Sequence, residues 1–167
     1  MNGTVKDLIL KKATFDDLDA IAAVEALCFP AAEAATKKEF AQRLCYYADY
    51  FWLLFDGDKL VAFIDGMATN RKDLADEMYE NAALHDVDGD WQMIFGVNTL
   101  PDYRGRGLAA YLIKAMIQSA RAEGRKGLVL TCKESLLVYY SKFGFVDEGL
   151  SISNHGGVPW HQMRLTF

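Results

Sequence analysis

The feature that most constrains the fold is a junction between an apolar segment and an amphipathic helix in the middle of the chain. Residues 91–99 (WQMIFGVNT) are almost continuously apolar, which predicts a central strand buried on both faces. Leu108 begins a series of apolar residues at helical spacing. The connection, PDYRGRG, carries Gly105 and Gly107, residues that favour a tight turn. The sequence therefore predicts a strand, a glycine-rich turn and a helix in direct succession.

The same turn carries Arg104 and Arg106, which a tight turn does not need. A helix N-terminus presents unpaired N–H groups and partial positive charge, so this arrangement favours an anionic ligand such as a phosphate. The alternative is a surface turn with solvated arginines. No Gly-Lys-Ser/Thr follows, which excludes a Walker A loop, and a turn after the fourth predicted strand does not fit a dinucleotide fingerprint.

The other segments predict a mixed α/β domain without repeats or linkers. Two capping boxes, Thr14–Asp17 and Thr36–Glu39, each predict the start of a helix. Asp56-Gly57-Asp58 lies between two apolar runs and predicts a hairpin within 50–69. The remaining predicted elements are an opening strand (5–13), a short acidic helix (73–81), a polar turn (85–90), a buried strand (127–132), a helix (135–143) and two C-terminal strands.

Composition limits the classes of function. The net charge of −5 argues against a general nucleic-acid-binding protein, so the arginine pair suits a small anion. No apolar run reaches the roughly 20 residues of a membrane-spanning helix, and no signal peptide is recognisable. Cys28, Cys45 and Cys132 lack metal-ligand spacing and predict reduced thiols in a cytoplasmic protein without a metal. The sequence is compatible with a monomer or a homodimer.

Two motifs resemble those of the GNAT acetyltransferases. Arg104-Gly-Arg-Gly107-Leu-Ala109 matches Arg/Gln-x-x-Gly-x-Gly/Ala, and Tyr140-Ser-Lys-Phe-Gly144-Phe145 matches Tyr-x-x-x-Gly-Phe. The resemblance covers essentially the whole chain and implies a GNAT acyl-CoA N-acyltransferase fold. That fold is α/β (α+β), a mixed central sheet of about seven strands flanked by helices, in one domain spanning residues 1–167. Acetyl-CoA is the implied co-substrate, and its implied binding residues are Val97, Asn98, Thr99, Arg104, Gly105, Arg106, Gly107, Leu108, Ala109 and Ala110.

Within that family, the layout is similar to the arylalkylamine (serotonin) N-acetyltransferases. Four blocks resemble theirs in the same order: Glu25–Pro30, Leu60–Ile64, Cys132–Tyr140 and Gly157–Met163. The segment after Cys28 and the loop 153–159 are expected to wall the acceptor site. An aromatic-lined substrate pocket is expected from Phe29, Pro30, Phe95 and Trp160. Glu33 and the acidic segment 73–80 would equally suit a polyamine.

Acetyl transfer to an amine needs a neutral nucleophile, donors for an oxyanion and an acid for the departing thiolate. Tyr140 is the candidate acid, with a packed core aromatic as the alternative. The oxyanion donors are expected among the backbone N–H groups at about 98–100, where the central strand splays from its neighbour.

Several residues are candidates for the general base. The resemblance implies two histidines on the central strand, but Met93 and Phe95 occupy their positions. Substitutes are Asp65, Asp90, His155 and His161, each of which also has a purely structural interpretation, and a polar channel to bulk water would serve without any of them.

The sequence as a whole predicts a cytoplasmic N-acetyltransferase that moves an acetyl group from acetyl-CoA to a small primary amine by direct attack in a ternary complex. An enzyme acting on a protein N-terminus or lysine is one alternative, favoured by an open acidic groove. A non-catalytic acyl-CoA-binding or regulatory module is the other, and the replacement of the histidines gives it weight. Neither nucleic acid nor membrane is an expected partner.

Overall fold

The computed structural model describes residues 7–167 and contains two sheets that diverge from one central segment. The helices are α1 (Leu18–Cys28), α2 (Lys37–Tyr47), α3 (Glu77–Glu80), α4 (Leu108–Ala122) and α5 (Leu137–Ser141). The strands are β1 (Ile9–Lys12), β2 (Phe51–Asp56), β3 (Lys59–Asp65), β4 (Ala68–Thr69), β5 (Trp91–Ile94), β6 (Gly96–Thr99), β7 (Gly127–Cys132), β8 (Val146–Leu150) and β9 (His161–Thr166). The predicted mixed α/β architecture, with sheets flanked by helices, is confirmed.

The first sheet has the order β1-β2-β3-β6 and is antiparallel throughout. The second has the order β4-β5-β7-β9-β8, and within it β5 and β7 are parallel. A parallel pair needs a crossover connection. Here α4 supplies it, which brings the glycine-rich turn to the C-terminal end of the central segment.

The central segment is not the single strand that its apolar run predicts. It breaks at Phe95, so that β5 pairs in the second sheet and β6 pairs in the first. Gly96 faces Asp65 in register, and the N–H of Phe95 also donates to the carbonyl of Asp65, at 2.8 Å. Two consecutive residues thus oppose one, which is a β-bulge. The bulge turns β6 away from β7 and opens a gap between the sheets.

Local signals account for several element boundaries. The capping boxes at Thr14–Asp17 and Thr36–Glu39 are both present, although the first opens a short 3-10 turn before α1. The hairpin turns at Gly57, where φ is +59°. Two predictions need correction. The helix predicted at 135–143 is a 3-10 turn followed by only five α-helical residues. The opening strand predicted at 5–13 is observed only at Ile9–Lys12, and residues 5 and 6 lie outside the described residues.

The core lies between the sheets and the helices that cover them. Its largest fully buried side chains are mainly aromatic or branched, and Phe40, Phe51 and Phe63 contact one another by ring stacking or edge contacts. The buried Met93 belongs to this core. Within residues 7–167, no helix is long and apolar enough to cross a membrane.

Candidate active site

A surface groove follows β6 and the glycine-rich turn, as the anion-site prediction requires. Gly107 is the N-cap of α4, and both Gly105 and Gly107 have φ of +78°, a left-handed conformation that favours glycine. A Cβ at either position would meet nothing within 4 Å, so both glycines border open space. The predicted cofactor residues that line this groove are Val97, Thr99, Arg104, Gly105, Gly107, Leu108, Ala109 and Ala110.

Two of the predicted cofactor residues point elsewhere. The Asn98 side chain is fully buried behind β6. The Arg106 guanidinium folds back onto its own turn, donating to the carbonyl of Asp102 at 2.8 Å and lying 4.7 Å from the centre of the Tyr103 ring. Arg104 instead donates to the carbonyl of Thr99 at 3.0 Å, at the edge of the groove.

The backbone of β6 offers donors to the gap between the sheets. The N–H of Leu100 donates to the carbonyl of Val61 at 2.9 Å, so this group is engaged and cannot be the predicted oxyanion donor. Because alternate residues of an antiparallel strand bond the same neighbour, the N–H groups of Val97 and Thr99 point away from β3 and into the gap. These two residues are therefore the better candidates for donors.

A small cavity of about 120 Å³ lies next to the groove, and Phe29 and Val97 line both. Pockets for drug-sized ligands are roughly 300–1,000 Å³, so this one suits a small molecule. Of the predicted substrate residues, Phe29, Phe95 and Trp160 line the cavity, whereas Pro30 does not. The remaining lining includes other aromatic side chains and several charged ones: Tyr79, Tyr140, His155, Glu25, Glu33, Glu39, Arg43 and Asp65.

The two loops predicted to wall the acceptor site contact each other. His155 Nε2 lies 2.7 Å from the carbonyl oxygen of Glu33, and Trp160 Nε1 donates to the carbonyl of His155, at 2.7 Å. The His155 ring also stacks on Tyr79, with ring centres 5.4 Å apart. A Cβ on Gly156 would come within 2.7 Å of Glu33 Cγ, so this glycine permits the close approach. The two loops thus roof the cavity.

The floor of the cavity contains an ion pair. Arg43 Nη1 lies 3.1 Å from Asp65 Oδ2, and both side chains are almost completely buried. Arg43 Nη2 also donates to the carbonyl of Tyr79 at 3.0 Å. Burial raises the pKa of Asp65 to about 6, and the attraction of Arg43 opposes the rise.

Glu25 is the functional candidate that the sequence alone did not single out. Its side chain is buried in the cavity wall, where Oε2 accepts the N–H of Ala35 at 2.8 Å. Burial, reinforced by the nearby charge of Asp65, raises the pKa of Glu25 to about 7. A carboxylate with a pKa near neutrality is suited to take a proton from a substrate. The available signal is an acidic residue at a core-facing position of a largely apolar helix, beside Val24.

Tyr140 lies where the motif predicts, at the end of the cavity beside Cys132. It is buried. Desolvation is the main cause of the raised pKa of its hydroxyl, and the nearby Cys132 raises this pKa further. The phenol therefore stays protonated at neutral pH. It also packs against the rings of Tyr139 and Phe145, so its catalytic and packing interpretations are compatible.

Of the four candidate bases predicted from the sequence, two lie in the cavity wall and two lie outside it. Asp65 and His155 line the cavity. Asp90 forms an ion pair with Lys126 at 3.2 Å, and His161 contacts Asp147 at 3.1 Å, both outside the cavity lining. The structural interpretation therefore accounts for Asp90 and His161. Among residues 7–167, no cluster of side chains suits a metal ion.

The sequence and the fold can be compared with those of known proteins. A family model described as the acetyltransferase (GNAT) family matches residues 18–145, which include the glycine-rich turn and Tyr140. The chain belongs to the acetyltransferase (GNAT) family. Membership confirms the enzyme class expected of the sequence and acetyl-CoA as the co-substrate of that class.

Individual relatives are distant. A probable glucosamine 6-phosphate N-acetyltransferase 2 from Oryza sativa subsp. japonica is 34% identical over 50 residues, which span 30% of each protein. The loading GNATL domain of CurA from Lyngbya majuscula superposes with a TM-score of 0.82 at 19% identity, covering 95% of this chain and 97% of that one. Naa50 from Arabidopsis thaliana, solved with the bisubstrate analogue CoA-Ac-MVNAL, gives a TM-score of 0.75 at 15% identity, covering 96% and 99%. These GNAT relatives differ from one another in name, and the arylalkylamine resemblance is not confirmed by them.

Proposed function

We propose that this GNAT acetyltransferase transfers the acetyl group of acetyl-CoA to a small primary amine that enters the roofed cavity. One observation carries the proposal: a small aromatic cavity, lined by buried carboxylates, adjoins the groove at the glycine-rich turn. Four of the lining residues are acidic and only Arg43 is a permanent cation. Because Asp65 pairs with Arg43 and Glu33 with Lys133, Glu25 and Glu39 supply the remaining negative charge, which favours a cationic guest.

The roof favours a small molecule over a peptide. A peptide acceptor needs an open channel along which its backbone can extend, and the His155–Glu33 contact closes that route. The relative from Oryza sativa named for a sugar-phosphate substrate and the plant Naa50 solved with a peptide-like analogue show how much acceptors vary in this family. Acceptor identity therefore has to be argued from the cavity of this chain.

The residues around the cavity can carry each chemical requirement. A primary amine has a pKa near 10, so at pH 7 only roughly one molecule in a thousand is neutral. Glu25, with its pKa near 7, accepts a proton from the bound ammonium, and the neutral amine that results attacks the thioester carbonyl. The N–H groups of Val97 and Thr99 face the gap in which an oxyanion would form. Tyr140, protonated at neutral pH, donates to the departing thiolate sulfur.

Two subclasses of small amine are compatible with the lining. Aromatic rings from Phe29, Phe95 and Trp160 suit an arylalkylamine. The buried carboxylate of Glu33 would suit the second ammonium of a polyamine that takes the place of Lys133, whose Nζ lies 2.8 Å away. The non-catalytic alternative loses support because Glu25 supplies a base that the missing histidines do not.

The test is the release of CoA thiol with a panel of tryptamine, phenylethylamine, spermidine and a lysine peptide, measured from pH 6 to 9. We expect turnover with at least one small amine, and kcat/KM should rise with pH through about 7 as Glu25 ionises. Preference for the peptide would refute the small-amine acceptor. CoA binding without turnover of any amine would favour the binding module instead.

A further inference from the structure

Three buried polar atoms from three different elements converge beside Gly96. They are Glu25 Oε1 from α1, Asp65 Oδ1 from β3 and Asn98 Nδ2 from β6, and no contact within residues 7–167 gives any of them a hydrogen bond of full geometry, although the Asn98 side chain is near enough to Glu25 to act on its pKa as a hydrogen-bond donor. An atom at the Cβ position of Gly96 would lie 3.1 Å from Asn98 Nδ2, 3.4 Å from Asp65 Oδ1 and 3.5 Å from Glu25 Oε1. We name this space the Gly96 notch. Buried polar atoms are nearly always satisfied, so a convergence of three points to an occupant.

The glycine is explained by this space and not by its backbone. Gly96 is absent from the residues with positive φ, so an alanine could adopt its conformation. However, a side chain at this position would point at the three polar groups, because the nearest atoms to an ideal Cβ of Gly96 belong to Asn98, Asp65 and Glu25. Any larger residue would fill the notch with apolar atoms and leave two carboxylate oxygens without partners.

The chemistry of the three atoms identifies the occupant. Two of them are carboxylate oxygens, which accept hydrogen bonds, and one is an amide nitrogen, which donates. A water molecule has two donors and can accept the amide N–H, so it satisfies all three. An ammonium group has donors only and would oppose Asn98 Nδ2.

We propose that the Gly96 notch binds one water molecule through which Glu25 and Asp65 share a proton, making Asp65 the second carboxylate of the catalytic base. The inference rests on the proposed role of Glu25. When Glu25 has taken the amine proton, its O–H donates that proton to the water, and the water releases another to Asp65 Oδ1. One O–H bond forms on the water and one breaks, so no further reactant is needed.

The surroundings of the pair are consistent with this exchange. Arg43 bonds Asp65 through Oδ2, which leaves Oδ1 directed at the notch. Burial raises the pKa of both carboxyl groups toward neutrality, so a proton shared between them has no strongly preferred site. The other charged or titratable groups that act on the pair or on Arg43 are Cys28, Glu39, Tyr47 and Tyr79.

The native protein provides the first test. A crystal structure at high resolution should contain an ordered water within about 2.7–3.2 Å of all three atoms. In protein labelled with ¹³C at the carboxyl carbons, the Glu25 and Asp65 resonances should each move in two steps at common pH values, because coupled groups titrate as a pair. No ordered water at the notch, or two independent single-step titrations, would overturn the proposal.

Variants add a second test. In Gly96→Ala the methyl group displaces the water and desolvates Glu25, so its NMR midpoint should rise by roughly half a unit or more. In Asp65→Asn the neighbouring negative charge is lost, so the Glu25 midpoint should fall. Asp90→Asn, an exposed carboxylate paired with Lys126, is the control that should leave both midpoints unchanged.

These readouts separate this inference from the proposed function. In one outcome, Glu25→Gln abolishes turnover, but the NMR titration midpoint of Glu25 is the same in Gly96→Ala and Asp65→Asn as in the native protein. Glu25 is then the base, and the shared proton is refuted. If the midpoints respond as expected while Glu25→Gln keeps full turnover, the water site stands and the assignment of the base fails.

Discussion

Replacing Glu25 with glutamine should stabilise the protein at alkaline pH while it removes activity. Folding raises the pKa of Glu25 from its ordinary value of 4.5 to about 7, chiefly by burial. A group whose pKa is raised on folding stabilises the folded state below pH 4.5, and that contribution is lost as pH rises through 7. A pKa difference of about 2.5, at 1.36 kcal/mol per unit, corresponds to about 3 kcal/mol. Glutamine resembles the neutral acid and carries no such dependence.

The measurement is urea unfolding of native and Glu25→Gln protein at intervals from pH 4.5 to 8.5. The free energy of unfolding of the variant, relative to native, should rise by about 3 kcal/mol across that range, equivalent to roughly 6–12 °C in Tm for a domain of this size. The amide oxygen can still accept the N–H of Ala35, so this contact is kept. Turnover should fall by roughly 10²–10⁴, the usual contribution of a general base.

Asp19→Asn is the matched control, because Asp19 lies on the exposed face of the same helix and pairs with Lys37. Its unfolding free energy should follow that of the native protein within about 0.5 kcal/mol at every pH. A difference between Glu25→Gln and native protein that is constant with pH would refute the assigned pKa. A variant that is less stable than native protein at pH 8 would refute the claim that burial of this charge is unfavourable.

Three further predictions concern the cofactor turn, the acid and the roof. Gly107→Glu should weaken CoA binding in calorimetry far more than Gly107→Ala. Both substitutions strain a left-handed backbone conformation, but only the glutamate repels a phosphate. Equal CoA affinities of the two variants would refute an anion site at this turn. Tyr140→Phe should keep CoA affinity and lower kcat by roughly 10²–10⁴. Tyr46 is an exposed tyrosine on α2, so the control Tyr46→Phe should change neither quantity. A native kcat in Tyr140→Phe, with chemistry rate-limiting, would exclude the hydroxyl as the acid. Gly156→Ala should collide with Glu33, open the roof and raise KM for small amines with little change in CoA affinity; an unchanged KM would mean that the roof does not define the acceptor site.

Local sequence signals predicted the parts of the fold that depend on neighbouring residues. The capping box at Thr36–Glu39, the hairpin at Gly57 and the turn at Gly105–Gly107 each depend on a few adjacent residues, and each is present. The break at Phe95 was missed because its flanking residues are all apolar, as they would be in one continuous strand. Its cause is a pairing with Asp65, thirty residues earlier, which no local pattern records.

In the candidate site, too, local sequence signals predict some residues and not others. The groove residues follow from one contiguous motif, but the acidic cavity is assembled from segments far apart in the chain. Asp65 could be read as a catalytic or a satisfied carboxylate, and the Arg43 contact makes it both buried and paired. Glu25 was overlooked since its helical position predicts only that it faces the core. That it meets another carboxylate there depends on how α1 crosses β3, which is decided by packing.

The break in the central segment has a consequence for cooperativity. In the free protein, β6 is the edge strand of one sheet. In the other sheet, β7 pairs with β5 only as far as Leu130 and continues to Cys132, so two unpaired strand edges face each other across the gap. The two sheets should then open as separate units in hydrogen exchange, with the edge amides of Val97 and Thr99 among the first to exchange. A pantetheine chain lying between these edges would bond across them and join the two units into one. At a CoA concentration a hundredfold above Kd, linkage adds about 2.7 kcal/mol to the free energy of unfolding, so the folded lifetime of the enzyme would depend on the supply of its own co-substrate.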